Sequence, residues 1–133
     1  MWENYNENKL LENIDNLKVE SSFYNNIEVS GIKDRIFGIK SCSTNKLIEF
    51  IKTGFKADFI YVDGSHLLLD CYSDIILTWE ILEKDGILAI DDYYYKKDEI
   101  LNSPFEAVNH FLKINEGKYK LLHSGYRVFL QKL

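Results

Sequence analysis

The sequence predicts an α/β fold: a mostly parallel sheet of about five strands that closes with an antiparallel hairpin. Three observations carry this. First, two short apolar runs, Phe59–Val62 and Ile87–Ile90, lack polar alternation and include β-branched residues. That pattern suits strands buried on both faces of a parallel sheet. Second, Leu68, Tyr72, Ile75, Trp79 and Leu82 recur between the runs at steps of four, three, four and three. They form one face of an amphipathic helix, with Asp70, Asp74 and Glu83 directed elsewhere. Third, two strand-like stretches, Tyr119–His123 and Tyr126–Lys132, flank a Ser124–Gly125 turn at the end of the chain.

Strand, helix and strand make a right-handed crossover. Each of its strands ends in acid: Asp63, followed by Gly64, Ser65 and His66, and then the pair Asp91–Asp92. In open α/β sheets, ligands bind at that edge.

The remaining elements can be taken in chain order. Residues 1–17 are rich in Asn and Glu, with Leu10, Leu11, Ile14 and Leu17 at the spacing of a short helix or lid. Residues 18–30 read as a helix with Val19, Phe23 and Ile27 on one side, ended by Gly31. Arg35–Lys40 reads as a short strand. Ser43 or Thr44 can cap the next helix, whose apolar positions are Leu47, Ile48 and Ile51 and which Gly54 stops. After Asp92, residues 93–99 form a loop. Pro104, the sole proline, suits the first turn of a helix capped by Ser103 and running to about Asn115.

At 133 residues the chain is a single domain, long enough for a core. Its 46% apolar and 14% aromatic content excludes disorder. A net charge of −5 argues against nucleic acid or an anionic membrane as partner. No run approaches a membrane span, and the polar start carries no apolar signal core. Cys42 and Cys71 have no metal-ligand spacing and read as reduced thiols, which places the chain in the cytoplasm.

The blocks DFIYVDGSH and GILAIDDY, with a helix between them and a terminal hairpin, resemble the second half of a class I S-adenosylmethionine-dependent methyltransferase. The nearest likeness is to the metal-dependent O-methyltransferase branch, and it covers about Phe23 to Leu133. The resemblance implies a Rossmann-like sheet, a divalent cation held by Asp63, Asp91 and Asp92, and His66 as the base that takes a proton from a sugar or other small-molecule hydroxyl. It also implies that Cys42, Ser43 and Thr44 border the adenine of the cofactor.

The residue types support that chemistry without the family. Three carboxylates at one sheet edge repel unless a cation lies between them. Oxygen ligands without thiolate suit Mg²⁺, Mn²⁺ or Ca²⁺ over Zn²⁺. Such a cation lowers the pKa of a hydroxyl, and histidine can take a proton near neutral pH. Plainer readings stand beside these. Asp91–Asp92 also reads as a solvated loop, His66 as a helix cap, Ser43 and Thr44 as caps, and Tyr93–Tyr95 as a half-buried loop, with a substrate wall as its alternative.

One departure from the family is large. The seven glycines, at 31, 38, 54, 64, 86, 117 and 125, never form GxG, so the glycine-rich cofactor loop is missing. Met1–Trp2–Glu3 resembles the segment after the second strand of the family. The chain therefore reads as a partial methyltransferase domain, truncated of two strands and a helix, to be completed by an upstream segment or partner chain. Arg35–Lys40 is then expected to pair directly with Phe59–Asp63. The isolated chain is expected to bind S-adenosylmethionine no more tightly than about millimolar. A non-catalytic remnant or binding domain on the same fold is the alternative, and a metal-dependent phosphohydrolase a third.

Overall fold

The computed structural model describes residues 16–133, with side chains from Lys18 onward. These residues fall into two units, one ending at Lys40 and one running from Ser41 to Leu133.

In the first unit, helix α1 (Asn16–Val29) ends at Gly31, whose φ of 72° is the left-handed conformation glycine adopts freely. A 3₁₀ turn comes next at Lys33–Arg35. The strand expected at Arg35–Lys40 does not form, because the segment packs on the helix instead. A Cβ on Gly38 would lie 2.9 Å from the Phe23 ring, and Lys40 pairs with Glu20 at 2.6 Å. The expected helix over Leu10–Leu17 falls mostly outside the described residues.

The second unit runs α2 (Ser43–Thr53), β1 (Ala57–Val62), α3 (Leu68–Ile81), β2 (Leu82–Ile90), α4 (Pro104–Ile114), β3 (Tyr119–Ser124) and β4 (Val128–Lys132). The sheet order is β1-β2-β4-β3. Among the described residues the sheet has four strands, against the expected five or so. β1 and β2 are parallel, with Phe59 opposite Ile87 and Val62 opposite Ile90. β4 runs antiparallel to β2 and pairs with β3 as the predicted hairpin. The stops and starts obey local chemistry. Gly54 closes α2 at φ 71°, and the Ser103 hydroxyl accepts from the Phe105 amide ahead of Pro104.

Alternation along the strands divides the sheet into two faces. Val62, Leu88, Ile90, Val128 and Leu130 join Ile75, Trp79, Val108 and Phe111 of α3 and α4 in one buried cluster. Trp79 and Phe111 meet edge to face at 5.2 Å. The other face is more open at β1: Phe59 is 56% exposed and Tyr61 43%. The expectation of burial on both faces therefore fails for β1, which among the described residues is an edge strand whose Phe59–Tyr61 face lies away from α3 and α4. It holds better for β2, which lies between β1 and β4; Leu88, Ala89 and Ile90 are all buried.

Helix α3 passes into β2 without a loop, so Leu82 and Glu83 lie in the strand. The carbonyls left at its end are taken by lysines from elsewhere. Lys56 donates to Glu80 at 2.8 Å, and Lys132 donates to Trp79 at 2.7 Å and Leu82 at 2.9 Å. Those bonds replace a glycine cap.

Candidate active site at the carboxyl edge of the sheet

The acidic residues sit where the two parallel strands end. After Val62 the chain leaves β1 and turns through Asp63–His66 before α3 begins at Leu68. The Ser65 hydroxyl shapes this turn: it donates to Asp70 at 2.8 Å and accepts from the Leu67 amide at 3.3 Å. His66 is thereby carried to the neighbouring strand end. Its Nε2 lies 2.8 Å from Asp92 Oδ2. Its ring is 4.5 Å from that of Tyr95, whose carbonyl accepts from Ser103 at 2.9 Å.

The acidic pair after β2 divides. The Asp91 amide donates to Val62 at 3.0 Å, extending the ladder by one residue. Asp92 then adopts φ 55°, a left-handed conformation that side chains other than Asn and Asp rarely accept. Tyr93 anchors the chain just beyond it. It is buried, its amide donates to Tyr126 at 2.9 Å and its hydroxyl to Asn109 at 2.8 Å. The two carboxylates consequently meet different partners.

Asp63, His66 and Asp92 offer three ligand atoms within 4.8 Å of one another, with Asp63 exposed and the other two half-buried. This is the one grouping of potential metal ligands found among the described residues. Two carboxylate oxygens and an imidazole nitrogen form a donor set that suits a divalent cation. The Tyr126 phenol also donates to Asp92; burial first, and then that bond, raise its pKa.

Asp91 is not in that group. Its Oδ1 accepts from Arg127 Nε at 3.0 Å and from the Asp92 amide at 2.8 Å, and its Oδ2 accepts from the Tyr61 hydroxyl. Desolvation would raise its carboxyl, but the bonds from Tyr61, the Asp92 amide and Arg127 outweigh it and hold the group below the usual carboxylate range.

Cys42, Ser43 and Thr44 open α2. Cys42 occupies the cap position without a side-chain bond, and Ser43 reaches across to α3, donating to Asp74 Oδ1 at 2.8 Å. Ser43 thus bonds a neighbouring helix and not its own helix end. Asp74, expected to point away from the core, is buried. Desolvation pushes its carboxyl up; the Ser43 bond opposes this and the Asp70 charge adds to it.

Linkage gives the sign of the Asp74 effect. A folded-state pKa above the unfolded one means that stability falls as pH rises through the folded value. Asp74→Asn keeps an acceptor for Ser43 and removes the buried charge. It is expected to raise stability at pH 7 by up to about 1 kcal/mol, a typical scale for one such change. The gain should shrink as pH drops below the folded value, which thermal melts at pH 4 and pH 7 would test.

Three further residues at the site, Tyr61, Tyr126 and Arg127, are not singled out by the sequence, which reads Tyr95 only as part of the Tyr93–Tyr95 run. Only Tyr61 carried a signal, since its alternation with Ile60 and Val62 sets it on the opposite face.

No protein-family model matches the chain, and no curated protein matches it. Solved structures do. The MycE methyltransferase from the mycinamycin biosynthetic pathway, in complex with Mg and SAH, is similar with a TM-score of 0.56 and 14% identity. The match covers 71% of this chain and 31% of that one. The same enzyme with Mg, SAH and mycinamycin VI gives 0.56 and 16% over the same shares. The chain therefore spans about a third of the length of these neighbours. At such identity the likeness speaks for the fold alone: 71% of this chain shares the fold of part of that enzyme.

Proposed function

We propose that the chain forms the acceptor-side part of an S-adenosylmethionine-dependent O-methyltransferase that uses a hard divalent cation and acts on a hydroxyl of a sugar or other small molecule. The observation that carries this reading is the convergence of Asp63, His66 and Asp92 at the carboxyl edge of a methyltransferase-like sheet. That the neighbours were solved with Mg and SAH, and one of them with mycinamycin VI, supports it.

Asp63 and Asp92 would hold the cation, with Asp91 as the third carboxylate of the set. When bound, the ion supplies Lewis acidity that favours ionisation of a hydroxyl. His66 lies against the same acidic cluster and, with Asp92 drawn to the ion and its contact to the imidazole released, would take the proton. Tyr95, against the imidazole, would hold the ring in place. Cys42, Ser43 and Thr44 would border the adenine.

A second reading, a binding domain on the same fold without catalysis, is favoured by the absence of a GxG loop from the sequence. Calorimetry separates the steps. Mg²⁺ or Mn²⁺ is expected to bind the wild type weakly, and Asp92→Asn, which tolerates the left-handed backbone, is expected to lose at least tenfold in affinity. Equal binding by the two, or binding by neither, sinks the cation site. S-adenosylmethionine should bind the chain alone no tighter than about millimolar, roughly −4 kcal/mol. A micromolar constant would mean that another loop replaces the glycine loop.

A further inference from the structure

Arg127 stands out because it is placed by three strands at once. It lies just before β4, Asp91 lies just after β2, and Tyr61 belongs to β1, so the three residues come from adjacent strands. Arg127 Nε lies 3.0 Å from Asp91 Oδ1 and 3.0 Å from the Tyr61 hydroxyl, which itself donates to Asp91 Oδ2. Both oxygens of Asp91 are thus engaged. The Asp91 side chain is 11% exposed, while that of Arg127 is 54% exposed. A guanidinium that still meets water can leave its partner without being stranded in the core. Of the charged partners at this edge, Asp91 takes Arg127 and Asp92 takes His66.

We propose that Arg127 is the resident counter-cation of the acidic edge, and that its competition for Asp91 sets how tightly the edge takes a divalent ion. The inference rests on the cation site proposed above and assigns its affinity to a residue outside that ligand set. The physical argument is charge balance. Asp63, Asp91 and Asp92 bring three negative charges to two neighbouring strand ends, and Arg127 offsets one of them. A divalent ion then meets a smaller net charge and a nearby positive group. At a partly screened surface site, one unit charge a few ångströms from a divalent ion is worth enough to change binding severalfold or more. Recruiting Asp91 to the ion also requires breaking the contact with Arg127.

This differs in sign from a purely architectural role. If Arg127 merely held the strand ends together, its loss would loosen the site and weaken binding. Competition predicts tighter binding when the charge is removed.

The test is Mn²⁺ calorimetry at low ionic strength on the wild type, Arg127→Gln and Arg127→Lys, with thermal melts to verify folding. Arg127→Gln should bind Mn²⁺ about tenfold more tightly than wild type, and the difference should shrink as salt is raised. Arg127→Lys, which keeps the charge, should stay within about threefold of wild type and serves as the comparison for any structural effect. Binding by wild type with Arg127→Gln unchanged or weaker overturns the role of Arg127 and leaves the cation site standing. Binding by Arg127→Gln alone supports the proposal. Binding by none of the three overturns the cation site and this inference together.

Discussion

Phe111→Ala is expected to destabilise the second unit by about 3–5 kcal/mol, the range for deleting a buried aromatic ring. Phe111 is 1% exposed and lies edge to face with Trp79, so it joins α4 to α3 where both cover the sheet. Small domains hold only about 5–15 kcal/mol in total, so this one change removes a large share. The expected result in urea is a midpoint shifted far down, or no folded baseline. Phe59→Ala is the internal comparison. Phe59 is the same residue type but 56% exposed on the open face of β1, and its loss should cost less than about 1 kcal/mol. Similar costs at both positions would mean that the helices do not cover the face of the sheet that carries Val62 and Leu88.

The contrast between these phenylalanines also marks what the sequence could and could not tell. The strand–helix–strand unit was legible because the apolar period switches twice, between Val62 and Leu68 and again before Ile87. Ser103–Pro104 and Gly54 fixed helix ends through local chemistry that needs no partner. Burial of β1 was not legible, because an apolar run reports what a strand could bury and not whether anything lies over it. Arg35–Lys40 failed similarly. Its apolar residues suit a strand, but a strand forms only where a neighbour offers its backbone, and here the segment packs on Phe23 and Tyr24.

The site was read in part, for physical reasons of the same kind. Asp63, His66 and Asp92 lie close to strand ends, so chain order alone placed them at one edge. Asp91 and Asp92 look equivalent as letters. A left-handed φ at Asp92 separates them, and no composition pattern reports that. The Tyr61–Asp91–Arg127 cluster joins residues 66 positions apart, and only the pairing of β1 with β2 and of β2 with β4 brings them together. An arginine after a hairpin turn otherwise reads as a solvated charge.

His66→Ala is the substitution that most directly examines the proposed chemistry. In the complete enzyme, with the cofactor loop supplied, it is expected to lower kcat by about 10²–10⁴, the usual worth of a positioned general base. The geometry places the imidazole at the acidic edge: Nε2 lies 2.8 Å from Asp92 Oδ2, and the Tyr95 ring lies tilted against it at 4.5 Å. A second measurement is needed because the imidazole could instead be a ligand, since its nitrogen falls within the same 4.8 Å grouping as the two carboxylates. The two roles diverge in Mn²⁺ affinity. A base can be deleted with binding changed by no more than severalfold, whereas loss of a ligand nitrogen should weaken binding by at least tenfold. The expected pair of results is a large loss of rate with nearly unchanged Mn²⁺ binding. A large loss of both would make His66 a ligand, and the proton would then pass to water or to another group. A near-normal rate at neutral pH would remove His66 from the chemistry altogether.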